Sequence, residues 1–246
     1  MNYASLKDKF DTDGYFILKN QFDIDTKLII KDILNAKDTE VYFDNKNILR
    51  RVEKLFNKSP RLIELNTKIL ELLEEIFGTE MSIFKDKYNC KPQNGEGFYA
   101  HYDGIFTWND INNNEKKGWY EYTDFFVNVL IALDFSNESN GTIEIAKVDN
   151  LDFDHLIANT RRNGTPQLTS SYEAEKEFLP IELKAGDMVI FSHKCPHRSK
   201  KNLSSKDRRI LYYTYNIKSD GDFYEKYFSD KKTSNPGVKL SKALSK

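Results

Sequence analysis

The chain of 246 residues is nearly neutral, with 37 basic and 38 acidic residues and a formal net charge of -1. The basic residues are scattered, which argues against a nucleic-acid partner, and no apolar run reaches the length of a signal-peptide core or a membrane span. Two distant cysteines, Cys90 and Cys195, argue against a disulfide framework or a structural zinc site. We therefore expect a soluble, cytoplasmic protein that has no nucleic-acid or membrane partner.

The first third of the chain is predicted to form helices around one short strand. The strand is predicted at Tyr15–Leu18, and an amphipathic helix follows over 25–36. The clearest helix has Ser59 as its cap and Pro60 in its first turn, keeps apolar residues at helical spacing, and ends at Gly78.

From residue 81 onward, short apolar or alternating runs separated by turn residues are typical of a β-sandwich or closed barrel. At least six strands are predicted, at 81–90, 97–102, 123–134, 142–146, 178–183 with 188–192, and 208–216. Two polar stretches, 110–118 and 149–171, are predicted as long loops, which often cover a site. The Lys-rich tail, 231–246, is expected to be disordered or to dock as a flap.

The central pattern is His101-Tyr102-Asp103, followed much later by His197 and Arg208. Residues two apart in a strand point to the same face, so His101 and Asp103 can bind one ion together. An imidazole from a neighbouring strand completes a facial triad, which is typical of Fe(II) and leaves positions open for a 2-oxo acid and dioxygen. The far carboxylate of 2-oxoglutarate needs a permanently charged, bidentate partner, and Arg208 suits that role.

The residues around the second histidine make this pattern more specific than a His-x-Asp triplet alone. Their order resembles the distal motif of the phytanoyl-CoA dioxygenase family, and the likeness extends over residues 6–230. Segments 10–18 and 131–134, and the pair Asn140-Gly141, are similar to that family as well. The distal residues are Gly186-Asp187, an apolar strand, Cys195-Pro196-His197-Arg198-Ser199, Asn202, Ser204, Arg208 and Tyr215-Asn216.

This resemblance implies a fold and an iron site. The fold is a mainly β, double-stranded β-helix, or cupin-like jelly roll, with N-terminal and buttressing α-helices. The iron is implied on His101, Asp103 and His197. Related halogenases replace the carboxylate by a small residue, so Asp103 favours hydroxylation.

The resemblance also implies the residues that bind 2-oxoglutarate. Arg208 and Ser199 are carried over from the distal motif. Asn89 is a further candidate, because Lys87-Tyr88-Asn89-Cys90-Lys91 is similar to a strand of ectoine hydroxylase members whose Asn touches the cosubstrate. Lys87 is a candidate for an assisting charge.

The substrate is less constrained than the cofactors. Segments 49–53, 84–89 and 227–231 resemble the branch that hydroxylates 2-aminoethylphosphonate. If that likeness holds, Arg51, Lys85 or Arg198 pairs with a phosphonate. Two other interpretations remain open: these cations are ordinary surface charges, or the substrate is another small polar metabolite. After Gly141 the family's Pro-Gly-Ser-His turn is replaced by Thr-Ile-Glu-Ile, and that turn borders the substrate.

Several neighbouring side chains have simpler interpretations. His193 lies four residues before His197, but only the latter has the offsets to Ser199 and Arg208 that match the family. His155 is predicted to be solvated. Aromatic residues in strands are often core, and Trp108 is the preferred candidate for a pocket wall among Tyr99, Tyr102, Phe106 and Trp108.

We therefore predict an Fe(II)- and 2-oxoglutarate-dependent dioxygenase that uses O2 to hydroxylate a small polar metabolite. Two alternatives remain open: a non-catalytic jelly-roll module that binds a metal or ligand, and the same cofactor chemistry ending in desaturation or ring closure. One domain is expected over 1–230, with helical additions over 1–80 and the jelly-roll core over 81–217.

Overall fold

Helices and strands account for most of the residues that the computed structural model describes, which are 2–110, 112–161 and 165–234. The helices there are α1 (Tyr3–Asp13), α2 (Thr26–Asn35), α3 (Pro60–Phe77), α4 (Phe153–Ala158), α5 (Ser170–Ala174) and α6 (Tyr224–Ser234). The strands there are β1 (Tyr15–Leu18), β2 (Glu40–Phe43), β3 (Leu49–Glu53), β4 (Met81–Lys91), β5 (Phe98–His101), β6 (Trp108–Asn109), β7 (Glu115–Lys116), β8 (Phe126–Ala132), β9 (Ile143–Ile145), β10 (Leu179–Pro180), β11 (Met188–Ser192), β12 (His197–Ser199) and β13 (Arg208–Ile217). No helix in these ranges is both long and apolar enough to cross a membrane.

Two antiparallel sheets form the body of the described structure. The larger sheet has seven strands in the order β1-β11-β8-β13-β4-β3-β2, and the smaller has four in the order β10-β9-β12-β5. β6 and β7 pair as a short ribbon. Neighbouring strands in the two sheets are mostly far apart in sequence, as in a jelly roll, and the predicted double-stranded β-helix is confirmed.

The core occupies both faces of the larger sheet. On one face, residues such as Val129 and Leu211 pack against α1, α2 and α3. On the other face, Leu130 packs with Ile145 of the smaller sheet. Since alternate strand residues point to opposite faces, β8 serves both cores and buries every residue of Phe126–Ala132.

The helix predicted between Ser59 and Gly78 is confirmed, together with its caps. The Ser59 side chain accepts a hydrogen bond from the Leu62 N–H (3.3 Å), and Pro60 occupies the first turn, where its missing N–H costs nothing. The Gly78 N–H donates to the Glu74 carbonyl at 2.8 Å, and its φ of +68° is a left-handed conformation that glycine adopts without a Cβ penalty.

The first third of the chain holds more β structure than predicted. β2 and β3 form a hairpin that extends the larger sheet beyond β4, with Arg51 opposite Asn89 and Glu53 opposite Lys87. The expectation of one strand in this region was therefore wrong. Polar and charged residues face one another across these strands, so the usual apolar alternation does not mark them.

Two regions predicted without regular structure contain helices. Segment 149–171 includes α4 and the start of α5, whose five or six residues are too short for an amphipathic repeat. Residues 224–234 form α6, in which Tyr224 and Phe228 are buried four positions apart. The predicted tail therefore begins inside a helix, and its remainder, 235–246, lies outside the described residues.

Candidate metal centre

His101, Asp103 and His197 converge between the two sheets. His101 ends β5, His197 begins β12, and the two residues are paired directly across the smaller sheet. One donor atom from each of the three residues lies within 4.8 Å of the other two. The imidazole centroids are 4.2 Å apart, and His197 Nε2 lies 3.7 Å from Asp103 Oδ2. Among the described residues, no other group of three metal-binding side chains meets in this way.

Backbone carbonyls fix the tautomer of both histidines. His101 Nδ1 lies 2.8 Å from the Tyr99 carbonyl oxygen, and His197 Nδ1 lies 3.1 Å from the Cys195 carbonyl oxygen. Because a carbonyl oxygen only accepts, each Nδ1 carries the proton. Each Nε2 therefore keeps a lone pair for a metal, as is usual for histidine ligands.

Burial keeps the two imidazoles neutral. Burial, together with the facing His197, lowers the pKa of His101 to about 3, and burial also lowers the pKa of His197. Burial alone would raise the pKa of Asp103, but His197, Lys87 and Lys85 hold it below its ordinary value. Two neutral imidazoles and one carboxylate are the protonation states that a divalent metal requires, so this donor set fits Fe(II).

Two buried polar residues, which sequence analysis missed, orient the carboxylate. Asn128 Nδ2 donates to Asp103 Oδ2 at 3.0 Å, and Thr214 Oγ1 donates to Asn128 Oδ1 at 2.7 Å. Asn128 and Thr214 are 1% and 2% exposed and face each other across β8 and β13. A polar residue within the apolar Phe-Val-Asn-Val-Leu run was the available signal, because a buried amide needs partners.

A cavity adjoins the two histidines and is lined by many cations. The predicted cosubstrate residues Arg208, Ser199 and Asn89 line it together with His101 and His197. Further cations in the lining are Arg50, Arg51, Lys87, Lys91 and Arg198. No Asp or Glu lines this cavity among the residues that the structure describes.

Arg208 is buried beside this cavity and forms no ion pair with the other residues that the structure describes. It is 3% exposed, and its Nε has no hydrogen-bond partner within the described structure. Lys91 lies opposite Arg208 in the sheet and donates to Ser199 Oγ at 2.8 Å. A buried guanidinium with an unpaired N–H is costly unless an anion completes it, so this end of the cavity fits a carboxylate such as that of 2-oxoglutarate.

His193, the alternative to His197 as a metal ligand in the sequence, lies outside the group of three converging side chains. His193 is 1% exposed, and its two ring nitrogens face the Phe126 carbonyl and the Tyr120 hydroxyl, each at 3.3 Å. His155 is exposed and pairs with Asp152 at 2.7 Å.

The aromatic residues of the cavity differ from the predicted ones. Phe98 and Tyr212 line it, whereas Trp108 belongs to the β6–β7 ribbon and does not. Tyr102 is fully buried, and its hydroxyl donates to Asp149 at 2.6 Å, so it is a core residue. The expectation that Trp108 walls the pocket was wrong, because Trp108 lies outside the lining of this cavity and pairs with Lys116 in the ribbon.

Comparison with known proteins agrees with this arrangement. The family model described as phytanoyl-CoA dioxygenase matches residues 10–210. The chain belongs to the phytanoyl-CoA dioxygenase family. It is therefore a dioxygenase with Fe(II) and 2-oxoglutarate as cofactor and cosubstrate, rather than a non-catalytic binding module.

Two curated relatives carry names that concern phosphonates. The dioxygenase is 28% identical over 194 residues to a 2-aminoethylphosphonate dioxygenase from Uncultured bacterium HF130_AEPn_1, an alignment that covers 78% of this chain and 68% of the relative. It is also 28% identical over 183 residues to a methylphosphonate hydroxylase from Gimesia maris, which covers 73% of this chain and 62% of that relative.

Solved structures share the fold at lower identity. A crystal structure of EctD from S. alaskensis with 2-oxoglutarate and 5-hydroxyectoine matches with a TM-score of 0.67 at 18% identity, over 88% of this chain and 77% of that one. The epimerase SnoN with Fe3+ and alpha ketoglutarate matches with a TM-score of 0.65 at 14% identity, over 87% and 83%. At these identities the likeness establishes the jelly-roll fold alone.

Proposed function

We propose that this dioxygenase hydroxylates a small polar metabolite, foremost a phosphonate, with Fe(II) bound by His101, Asp103 and His197. The observation that carries the proposal is the convergence of these three side chains beside a cavity that is rich in cations. The names of the two phosphonate-related relatives at 28% identity support the choice of substrate class.

Arg208 and Ser199 are proposed to bind the far carboxylate of 2-oxoglutarate. The unpaired Nε of Arg208 supplies a charged donor, and Lys91 already donates to Ser199 Oγ, so the Ser199 hydroxyl proton is left to point at the cosubstrate. Asn89 is proposed to assist. Its Oδ1 accepts from Arg51 Nε at 3.1 Å, which leaves the amide N–H groups to donate into the cavity.

The remaining walls hold the substrate and exclude water. Fe(II) and 2-oxoglutarate, when bound, activate dioxygen for attack on a C–H bond. The protein contributes position, because Phe98, Ile143, Ile210 and Tyr212 form apolar surfaces next to the histidines. A substrate held there presents one carbon to the metal centre, and its polar group is directed to the cationic side.

The first test is an anaerobic titration of Fe(II) and 2-oxoglutarate into the purified protein. We expect a visible charge-transfer band that His197→Ala abolishes. In Arg208→Met the dissociation constant for 2-oxoglutarate is expected to rise about 100-fold, since a buried charged partner is lost. A band that persists in His197→Ala would rule out the proposed ligand set.

Admission of oxygen then tests the reaction. With a panel of small metabolites that includes methylphosphonate and 2-aminoethylphosphonate, succinate should form faster when the substrate is present. A product heavier by one oxygen atom indicates hydroxylation, whereas the loss of two hydrogens indicates desaturation or ring closure. Absence of substrate-dependent succinate with every phosphonate would remove phosphonates from the proposal.

A further inference from the structure

β4 presents a row of polar side chains to the metal centre. Lys85, Lys87, Asn89 and Lys91 are alternate residues and therefore share one face of the strand. Lys87, Asn89 and Lys91 line the cavity directly. Lys85 and Lys87 both act electrostatically on Asp103, so their charges lie near the proposed metal ligand.

Two of these lysines have no anionic partner. Lys91 donates to the Gly141 and Lys200 carbonyl oxygens and to Ser199 Oγ. The side chains of Lys85 and Lys87, by contrast, form no hydrogen bond or ion pair with the residues that the structure describes. Their ammonium groups lie over aromatic rings instead.

The aromatic contacts hold these two ammonium groups without neutralising them. Lys87 Nζ lies 4.5 Å from the centroid of the Tyr212 ring, and Lys85 Nζ lies 4.2 Å from that of Trp119. Such contacts orient a cation but leave its charge unpaired. Burial lowers the pKa of both lysines, and an anion bound beside them would raise it again and favour their charged forms.

The other candidate cations, Arg198 and Arg51, differ in the number of carboxylates that neutralise them. Arg198 donates to Glu144 and Glu173, each at 2.8 Å, so two carboxylates neutralise it. Arg51 lines the cavity and donates to Asn89, with a longer contact of 3.4 Å to Glu53. Arg51 therefore has one carboxylate partner and Arg198 has two, so Arg51 keeps more of its charge for a ligand.

Among the described residues, no carboxylate lines the cavity to receive a cationic substrate group. The acids that act on Lys85 and Lys87 include Asp103, the proposed metal ligand, and Glu53. Glu53 is 5% exposed and already accepts from Tyr42, Arg51 and Lys231. The sequence outside the described ranges contains no Asp or Glu, so no side chain there adds a carboxylate.

We infer that Lys85 and Lys87, with Arg51 beside them, form an anion subsite for a substrate that carries no ammonium group, such as a simple alkylphosphonate. The inference rests on the proposed hydroxylase function and narrows its substrate class. An ammonium group in this cavity would meet like charges, because no Asp or Glu among the described residues lines it. An alkyl chain meets the apolar wall.

The test compares two ligands of similar size. Propylphosphonate and 2-aminoethylphosphonate differ in that a methyl group of the first is an ammonium group in the second. Calorimetry on the protein loaded with Fe(II) and 2-oxoglutarate under nitrogen should give a dissociation constant about tenfold or more lower for propylphosphonate. Equal or tighter binding of 2-aminoethylphosphonate would overturn the inference.

Variants test the subsite itself. Lys87→Met should weaken propylphosphonate binding about tenfold or more, while Lys87→Arg should retain most of it, because a hydrogen bond to a charged group is lost only in the former. Lys85→Met is a second variant with the same expected direction, and Lys68→Met, on the exposed face of α3, is the matched control. Unchanged binding in folded Lys87→Met and Lys85→Met, with melting curves as the check of folding, would overturn the assignment.

The charge-transfer band separates this inference from the proposed function. A normal band without phosphonate binding would refute the anion subsite and leave the cofactor roles intact. A missing band would refute the cofactor roles, and calorimetry with propylphosphonate would still decide whether the lysines bind an anion.

Discussion

Asn128 controls the orientation of the Asp103 carboxylate without being a ligand itself. Asn128→Leu removes the 3.0 Å hydrogen bond to Asp103 Oδ2 and keeps a side chain of similar size. We expect the affinity for Fe(II) to fall about 10- to 100-fold, as is usual when the partner of a metal ligand is lost. Competition with a colorimetric chelator under nitrogen measures the change.

A matched control uses a buried asparagine far from the metal centre. Asn66, on the buried face of α3, accepts a hydrogen bond from the Tyr215 hydroxyl at 2.9 Å. Asn66→Leu should lower the free energy of unfolding and leave the affinity for Fe(II) unchanged. If Asn128→Leu bound Fe(II) as tightly as the wild type, the orienting role would be wrong.

Lys91 orders the proposed cosubstrate end of the cavity. It is 2% exposed and donates to Ser199 Oγ at 2.8 Å and to the Gly141 carbonyl at 3.0 Å. The turn there accepts only glycine, because Gly141 has a φ of +71° and a Cβ would lie 2.2 Å from the Lys200 carbonyl oxygen.

Lys91→Met should weaken the binding of 2-oxoglutarate. The change frees the Ser199 hydroxyl to rotate and leaves buried carbonyls unpaired, which costs about 1–3 kcal/mol for such a group. We expect the dissociation constant for 2-oxoglutarate, read from the charge-transfer band, to rise about tenfold. Lys201→Met, at an exposed lysine paired with Glu96, should have no effect. Equal constants in the two variants would contradict the prediction.

The metal ligands could be predicted from sequence because their spacing is local or belongs to a motif. His101 and Asp103 are two positions apart where β5 ends, and the offset from His197 to Arg208 resembles the family motif. Asn128 and Thr214 are partners only because β8 and β13 pair in one register. That register depends on tertiary structure and cannot be predicted from a local sequence pattern. The ligand roles of the predicted residues stay predictions until metal binding is measured.

At the scale of elements, Asp187 joins the start of β11 to the end of β1. Its carboxylate accepts from Lys19 Nζ at 2.9 Å, from the Asn20 N–H at 3.0 Å and from the Lys184 N–H at 2.8 Å. Burial alone would raise its pKa, but these donors hold it below the ordinary value of 3.8. A carboxyl group with a depressed folded pKa stabilises the fold above its unfolded pKa and loses that contribution as the pH falls through the folded pKa.

Asp187→Asn should therefore destabilise the protein in a pH-dependent way. At pH 7 we expect the free energy of unfolding to fall by about 1–3 kcal/mol, since hydrogen bonds to a charged group are weakened. The difference from the wild type should narrow as the pH falls below 3.8 and through the depressed folded pKa, where the native carboxyl group becomes protonated. Urea unfolding over a series of pH values from 7 downward measures it, with exposed Asp11→Asn as the control; a loss that does not change with pH would refute the linkage.

Helices and strands could be predicted from sequence where a single apolar periodicity dominated the segment. α3 has 18 residues, two caps and a continuous apolar stripe, so its bounds are readable from sequence. β3 places Arg51 and Glu53 against polar residues of β4, and its alternation is therefore not apolar. α6 docks through Tyr224 and Phe228 and is otherwise polar. Both elements owe their structure to neighbours distant in sequence.

At the scale of the whole molecule, cofactor binding should stabilise the fold. A ligand that binds only the native state at about 100 times its dissociation constant adds about 2.7 kcal/mol. For a chain of this size each kcal/mol raises the Tm by about 2–4 °C, so Fe(II) with 2-oxoglutarate under nitrogen should raise it by about 5–10 °C. EDTA should reverse the shift, and His197→Ala should show none. A shift retained by that variant would place the metal elsewhere.

The jelly-roll fold could be predicted from the spacing of the strands and the family likeness. The distribution of charge in the cavity could not be predicted from either. Sequence offered Arg51, Lys85 and Arg198 as equivalent partners for a phosphonate. Only the fold brings Glu144 and Glu173 to Arg198, and within the described residues it gives the side chains of Lys85 and Lys87 no anionic partner. The charge that the cavity offers to a ligand therefore depends on tertiary packing. The division of the chain into one domain over 1–230 stays a prediction.

The direct pairing of His101 with His197 across the smaller sheet bears on how long the enzyme would retain iron. An ion bound by both residues would fasten β5 to β12 in addition to their backbone hydrogen bonds. Iron could then leave only when these strands part or an imidazole turns away from its carbonyl partner. Loss of metal and local opening of the smaller sheet would share one barrier, so the exchange rates of amide protons in β12 would report how long the enzyme retains its iron.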